Sequence, residues 1–114
     1  MPKEFHIDTA QPEEGVVVAS PIGEVDLASS PALRNRLGEI ISEAPKRLVI
    51  DLTGVPYMDS SGVATLVEAL QQSRRQSTKL LLACLQDRVK SVFEIARLDT
   101  VFDIKADVAS ACGD

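Results

Sequence analysis

The sequence predicts a single α/β domain with a mixed, mostly parallel sheet of four to five strands and helices mainly on one face. Segments with the apolar pattern of strands alternate with segments of helical periodicity, which is typical of right-handed crossovers between parallel strands. Residues 48–52 are almost continuously apolar, as in a strand buried on both faces. A chain of 114 residues buries about two-thirds of its unfolded surface. We therefore expect one domain over residues 1–114, with its core at residues 14–108.

The first elements are two strands. Residues 5–7 are predicted to form a short strand that ends in a turn. Gly15 opens a second strand, which continues to Ile22. Pro21 lies within that strand and has no amide hydrogen, so we expect an edge or a bulge at its position.

A helix and a central strand follow. Ser30 and Pro31 have the pattern of a helix N-cap and a proline at the first helical position. Apolar residues then recur at helical spacing, and Pro45 ends the helix. Residues 47–53 contain the central buried strand.

The second half repeats this alternation. A helix is predicted from residue 60, a buried strand at residues 79–85, a helix capped by Asp87, a strand at residues 101–104 and a weak helix after Lys105. The periodicity predicts this buried set: Val49, Ile50, Leu52, Leu66, Leu70, Leu81 and Phe93.

Charge and hydropathy exclude several partners. The formal net charge is −5, whereas nucleic-acid binding requires a basic surface. The pair Arg74 and Arg75 is interpreted as the solvated end of a helix. No apolar run approaches the roughly 18 residues of a membrane span, and residues 1–8 lack a signal pattern. We expect a cytoplasmic protein without nucleic-acid binding or membrane insertion, in which Cys84 and Cys112 are thiols.

The residue types also argue against an enzyme. His6 is the single histidine and lies on a predicted edge strand. A serine hydrolase requires a base beside its nucleophile, and Ser60 lacks the glycine pattern of a nucleophile elbow. One histidine and two distant cysteines provide no metal-ligand cluster. No glycine-rich phosphate loop is present, so neither a cofactor nor a metal is expected. Asp99, Asp103 and Asp107 are interpreted as solvated charges.

Residues 57–63 lie where a buried strand is predicted to turn into a helix. Asp59, Ser60, Ser61 and Gly62 precede an apolar helical stripe, and such residues satisfy the free amide groups of a helix start. The residue types alone do not choose between the two serines as the exposed one.

Three segments together carry a resemblance. Gly23-Glu24-Val25-Asp26 follows the second strand, the strand at residues 48–52 comes next, and Met58-Asp59-Ser60-Ser61-Gly62 follows it. With this spacing and element order, residues 14–108 resemble the STAS family. That family comprises bacterial anti-sigma factor antagonists and the related cytoplasmic domains of sulfate transporters.

The resemblance implies a phosphorylation switch. In antagonists of this kind, the serine directly after the aspartate, here Ser60, is phosphorylated by the partner anti-sigma factor, a serine kinase. The unphosphorylated protein binds that kinase and frees a sigma factor, and phosphorylation ends the contact. Asp26, Asp59, Ser61 and Gly62 are then expected to bind the partner. Without the resemblance, Asp26 is a turn residue favoured near a helix start.

A second function also agrees with the family. The chain could serve as a constitutive STAS subunit of a lipid-transport ATPase, or as a scaffold in a stress-signalling assembly, and neither role requires phosphorylation of Ser60.

Two residues depart from the family pattern. Pro21 occupies a strand position that usually holds a hydrogen-bonding residue. Arg97 occupies a position where such domains often have glycine, so a left-handed backbone there would be strained.

Overall fold

A computed structural model describes residues 4–113 of the protein as a sheet of five strands covered by helices. The elements are β1 (His6–Glu13), β2 (Val16–Ile22), α1 (Ser30–Ser42), β3 (Arg47–Asp51), α2 (Ser60–Arg75), β4 (Lys79–Ala83), α3 (Asp87–Ile95), a 3₁₀ helix (Leu98–Thr100), β5 (Asp103–Lys105) and α4 (Val108–Gly113). The strands lie in the order β1-β2-β3-β4-β5. Only the β1–β2 pair is antiparallel among these strands. The predicted α/β class is therefore confirmed.

Each central strand divides its side chains between two cores, because successive residues of a strand point to opposite faces. Leu48 and Ile50 of β3 pack into the larger core together with the buried faces of α1, α2 and α3. Val49 packs on the other face, where α4 contributes Ala111. Helices therefore lie mainly on one face, and every member of the predicted buried set is buried. The Arg34 Nε atom also joins α1 to α2 through Glu68 Oε2 at 2.8 Å.

The N-terminal hairpin is longer than predicted. The first strand extends to Glu13 rather than ending after residue 7, and its register shifts between Ala10 and Glu13. Pro12 lies at this irregularity on an edge strand, where the missing amide is tolerated. Pro21 lies beyond Ala19, the last β2 residue paired with β3, so no bond to β3 is lost there.

Three boundaries are corrected. Helix α1 begins at Ser30 with Ser29 as its N-cap residue, one position earlier than predicted. Helix α3 has Gln86 as its N-cap residue, and Asp87 is its first helical residue, where the helix dipole favours a carboxylate. The last strand begins at Asp103, and Phe102 before it is buried in a T-shaped contact with Phe93, the ring centroids lying 5.4 Å apart.

The C-terminal helix is held by polar contacts that the sequence did not indicate. Asp107 is exposed, in agreement with a solvated charge, and its Oδ1 atom also accepts the amide hydrogen of Ser110 at 2.7 Å. This bond lowers the pKa of the Asp107 carboxyl. The Arg47 Nη1 atom donates to the Ala111 carbonyl at 2.6 Å. The Asp107 bond closes the first turn of α4, whereas the Arg47 bond joins α4 to β3 on the second face of the sheet.

Two further expectations concern the cysteines and the membrane. Cys84 and Cys112 are free thiols, both half-buried beside the α4 core. Among the helices described over residues 4–113, none combines the length and apolarity that crossing a membrane requires.

Arg97 adopts the left-handed conformation that its position suggested, with φ 59° and ψ 25°. Such a backbone costs a non-glycine residue about 1–2 kcal/mol. Glycine avoids that cost, but its greater conformational freedom stabilises the unfolded chain by about 0.5–1 kcal/mol, which offsets part of the gain. We expect Arg97→Gly to raise the free energy of unfolding by up to about 1 kcal/mol in urea melts. The control Ala96→Gly, at φ −81°, should lower it by about 0.5–1 kcal/mol. Equal losses in both variants would contradict this account.

Candidate functional site

The two sequence motifs meet at the carboxyl edge of the parallel strands. The amide of Val25 donates to the Tyr57 carbonyl at 3.0 Å, and the amide of Asp59 donates to the Val25 carbonyl at 3.1 Å. These bonds form a parallel bridge between Val25 and Met58. The loop after β2 and the loop before α2 therefore form one continuous surface, which we call the motif edge (residues 23–29 and 54–62).

Asp59 is the N-cap residue of α2, in extended conformation with φ −95° and ψ −173°. Its Oδ1 atom accepts the amide hydrogens of Ser61 at 2.9 Å and Gly62 at 3.2 Å. The same atom accepts the Ser61 hydroxyl at 2.5 Å. The Ser61 hydroxyl is the main cause that holds the pKa of the Asp59 carboxyl below its ordinary value, and the amides of Gly62, Ser61 and Leu27 add to the effect. The predicted capping role of this segment is thus performed by Asp59.

The two serines of the motif have different surroundings. Ser60 is the first residue of α2 and is exposed. Its hydroxyl has no hydrogen-bond partner among residues 4–113. Ser61 is half-buried, and its hydroxyl is engaged by Asp59. The structure therefore distinguishes two residues that their chemical type did not.

Gly62 is buried under the start of α2. A Cβ atom on this residue would lie 2.5 Å from Met58 Cγ and 2.7 Å from Val25 Cγ1. Both neighbours are fully buried, so neither has free space to move into. Gly62, which the resemblance assigns to partner binding, is a buried residue of the motif edge.

Asp26 organises the turn that enters α1. Its Oδ1 atom accepts the amides of Ala28 and Ser29, both at 3.0 Å. The Ser29 hydroxyl in turn donates to the Glu24 carbonyl at 2.7 Å. The interpretation of Asp26 as a turn residue is therefore correct, and the bridge at Val25 also brings this turn beside Asp59.

The motif edge also carries apolar side chains that the sequence reasoning missed. Leu27 is 79% exposed and Tyr57 is 37% exposed. The Arg88 guanidinium lies 5.6 Å from the centroid of the Tyr57 ring. In the sequence, each of these two loops contains one apolar residue that belongs to no helix or strand pattern, and this could have identified Leu27 and Tyr57.

A groove of about 670 Å³ adjoins these loops and is lined by Phe5, Gly23, Glu24, Asp26, Ala28, Ser29, Ala32 and Pro56.

Other chemistry lacks the necessary groups in the described part of the chain. His6 lies on the edge strand β1, with its Nε2 atom 3.8 Å from the Asp8 carboxylate. Across residues 4–113, no three histidine, cysteine or acidic side chains are grouped so that they could hold a metal ion. The motif edge therefore presents an exposed hydroxyl beside a fixed carboxylate and apolar side chains, an arrangement suited to docking.

The sequence pattern that defines the STAS domain matches residues 9–111. This chain belongs to the STAS family. It is 34% identical to the anti-sigma-B factor antagonist of Bacillus subtilis over 102 residues, which cover 90% of this chain and 92% of that protein. Among solved structures, an anti-sigma factor antagonist from Mycobacterium paratuberculosis has a TM-score of 0.87 at 23% identity, covering 97% of this chain and 93% of that chain.

A further STAS-like structure is the Bacillus cell fate determinant SpoIIAA in its phosphorylated form. Its TM-score is 0.71 at 16% identity, covering 92% of this chain and 96% of that chain. These likenesses confirm the predicted family and fold. They also confirm the prediction of a regulatory protein rather than an enzyme, because STAS relatives of this kind act as antagonists of other proteins.

Gly62 and Gly38 allow a matched test of the motif edge. Gly62→Ala should lower the free energy of unfolding by about 1–2 kcal/mol, because overpacking against Val25 and Met58 outweighs the better helix propensity of alanine. Gly38 lies within α1 and has no atom within 4 Å of an added Cβ. Gly38→Ala should therefore raise stability by about 0.5–1 kcal/mol. Urea melts that gave both variants the same gain would show that the contact at Gly62 does not limit packing.

Proposed function

We propose that this STAS protein is an anti-sigma factor antagonist whose binding is switched by phosphorylation of Ser60. The observation that carries the proposal is the exposed hydroxyl of Ser60, without a hydrogen-bond partner among residues 4–113, at the first position of α2. The relative from Bacillus subtilis is named an anti-sigma-B factor antagonist, and the structural neighbour SpoIIAA has a phosphorylated form. In this proposal the partner is an anti-sigma factor with serine kinase activity, and both proteins act in the cytoplasm.

Phosphoryl transfer requires an accessible hydroxyl. The Ser60 Oγ atom forms a bond to the γ-phosphorus of ATP, and the bond from that phosphorus to the bridging oxygen of ADP breaks. The hydroxyl proton passes to a base of the kinase. Because Ser60 is exposed and is the first residue of a helix at the sheet edge, it can enter a kinase site without unfolding.

The phosphate would gain little support from its own protein. Asp59 already accepts the amides of Ser61 and Gly62, and its carbonyl accepts the amide of Val63 at 3.1 Å. A phosphate adds a charge of about −1.5 to −2. The helix dipole favours it by roughly 0.3–1 kcal/mol, and repulsion from a carboxylate about 5 Å away is of similar size near water. We therefore expect the fold to stay intact after phosphorylation.

At a docked interface the same charge has a larger effect. A dianion held against a partner without a counter-charge loses its water, which weakens binding. A loss of about 2.7 kcal/mol lowers affinity roughly a hundredfold. Asp26, Asp59 and Ser61 lie at or beside this surface and are proposed partner contacts. Gly62 is buried, so we propose that it contributes by holding α2 against the bridge at Val25.

Two substitutions at Ser60 test the switch. Ser60→Ala should bind the cognate kinase as the wild type does and resist release by ATP, whereas Ser60→Asp should bind more weakly. Neither should lower the free energy of unfolding by more than about 1–1.5 kcal/mol, the usual contribution of a helix cap. Titration calorimetry measures the affinities, urea melts measure the stability, and mass spectrometry locates the phosphate on Ser60 of the wild type.

Ser77→Asp is the charge control for this experiment. Ser77 is exposed beyond the other end of α2, roughly 24 Å along the helix axis, so the same added charge should leave kinase affinity unchanged. Equal affinities for the wild type, Ser60→Ala and Ser60→Asp would reject the switch. That result would favour a constitutive STAS subunit.

A further inference from the structure

The adjacent serines of the motif differ by one hydrogen bond. Three donors converge on Asp59 Oδ1: the amides of Ser61 and Gly62 and the hydroxyl of Ser61. The Ser60 hydroxyl is not among them. The carboxylate is fixed by the helix start, so its contact with Ser61 is part of the cap itself.

We propose that Asp59 selects the acceptor of phosphoryl transfer, because its carboxylate retains the Ser61 hydroxyl and leaves the Ser60 hydroxyl as the reactive one of the pair. This inference rests on the proposed function and adds a specificity-determining role to the capping residue. Asp59 acts here as a positioning residue, since it works through the side chain of Ser61.

The physical reason lies in what the attack requires. A serine must turn its oxygen toward the γ-phosphorus of ATP and give its proton to a base. Ser61 must first leave an ionised carboxylate, and a hydrogen bond to a charged group corresponds to a discrimination on the order of tenfold to a hundredfold. Ser60 has no such bond to break among the described residues.

A carboxylate beside a hydroxyl could instead act as a base and activate it. Two features oppose this for Asp59. The two amides share the same oxygen with Ser61, and the pKa of the carboxyl lies below its ordinary value of 3.8. Both reduce the tendency of that oxygen to take a proton. Asp59 therefore holds the Ser61 hydroxyl without deprotonating it.

The test isolates Ser61 by removing the other acceptor. Three proteins are compared: Ser60→Ala, Ser60→Ala with Asp59→Asn, and Ser60→Ala with Asp59→Ala. Each is incubated with ATP and the kinase that immobilised Ser60→Ala protein retains from a cell extract, and mass spectrometry follows phosphate on Ser61. Loss of the carboxylate in the Asp59→Ala protein should raise the rate at Ser61 at least about tenfold. The Asp59→Asn protein keeps an acceptor oxygen and a good N-cap, so its rate should stay closer to that of Ser60→Ala alone.

The proposed selection would be overturned if Ser61 is phosphorylated at the same rate in the Ser60→Ala protein and in its Asp59→Ala derivative. It would also be overturned if the Ser60→Ala protein is phosphorylated faster. If the wild type meanwhile accepts phosphate on Ser60, the proposed function stands and only this inference fails. A wild type that accepts no phosphate on Ser60 contradicts the proposed function and the selection with it.

A second measurement needs no kinase and leaves the cap in place. Carbon NMR follows the titration of the Asp59 carboxyl in the wild type and in Ser61→Ala. Removal of the hydroxyl should raise the pKa of Asp59 toward 3.8, because that hydroxyl is the main cause of its lowered value. An unchanged pKa would show that the carboxylate does not hold Ser61 in solution, and would also overturn the selection.

Discussion

The start of α2 lies so close to the loop after β2 that residue 62 has no room for a side chain. This contact, together with the backbone bridge between Val25 and Met58, joins two loops that are distant in the sequence. Parallel strands place both loops at the same edge of the sheet. Ser60 therefore stands on a surface fixed by the buried core beneath it, and the turn organised by Asp26 lies on the same surface.

A fixed surface allows a small chemical change to act without moving the fold. The electrostatic effects of a phosphate within the protein nearly cancel, and a domain of this kind has a stability of about 5–15 kcal/mol. The amides of Ser61 and Gly62 at the start of α2 are already bonded to Asp59, so they offer the phosphate no site of its own. The proposed loss of affinity thus arises at the docked interface, where binding of the partner would remove water from the phosphate on Ser60. Leu27 and Tyr57 are exposed on the same motif edge.

Much of this fold could be predicted from the sequence, because burial leaves a periodic pattern, as in the strand that contains Val49. Boundaries near Ser30 and Asp87 were wrong by one residue, since adjacent residues also suit a helix start. The length of β1 was missed because most of its side chains are exposed and show no alternation. The motif pointed to the candidate site, but the difference between Ser60 and Ser61 depends on the direction of one hydroxyl, which residue types do not encode.

The central claim is that phosphorylation changes the surface of a rigid domain. Amide NMR spectra of the isotopically labelled protein, recorded before and after complete phosphorylation by its kinase, test it most directly. The account predicts chemical-shift changes confined to residues 23–29 and 57–64, with the amides of β3 and β4 unmoved. Shift changes spread through those two strands, or a loss of resolved signals, would contradict it and indicate that the switch works by rearranging the fold.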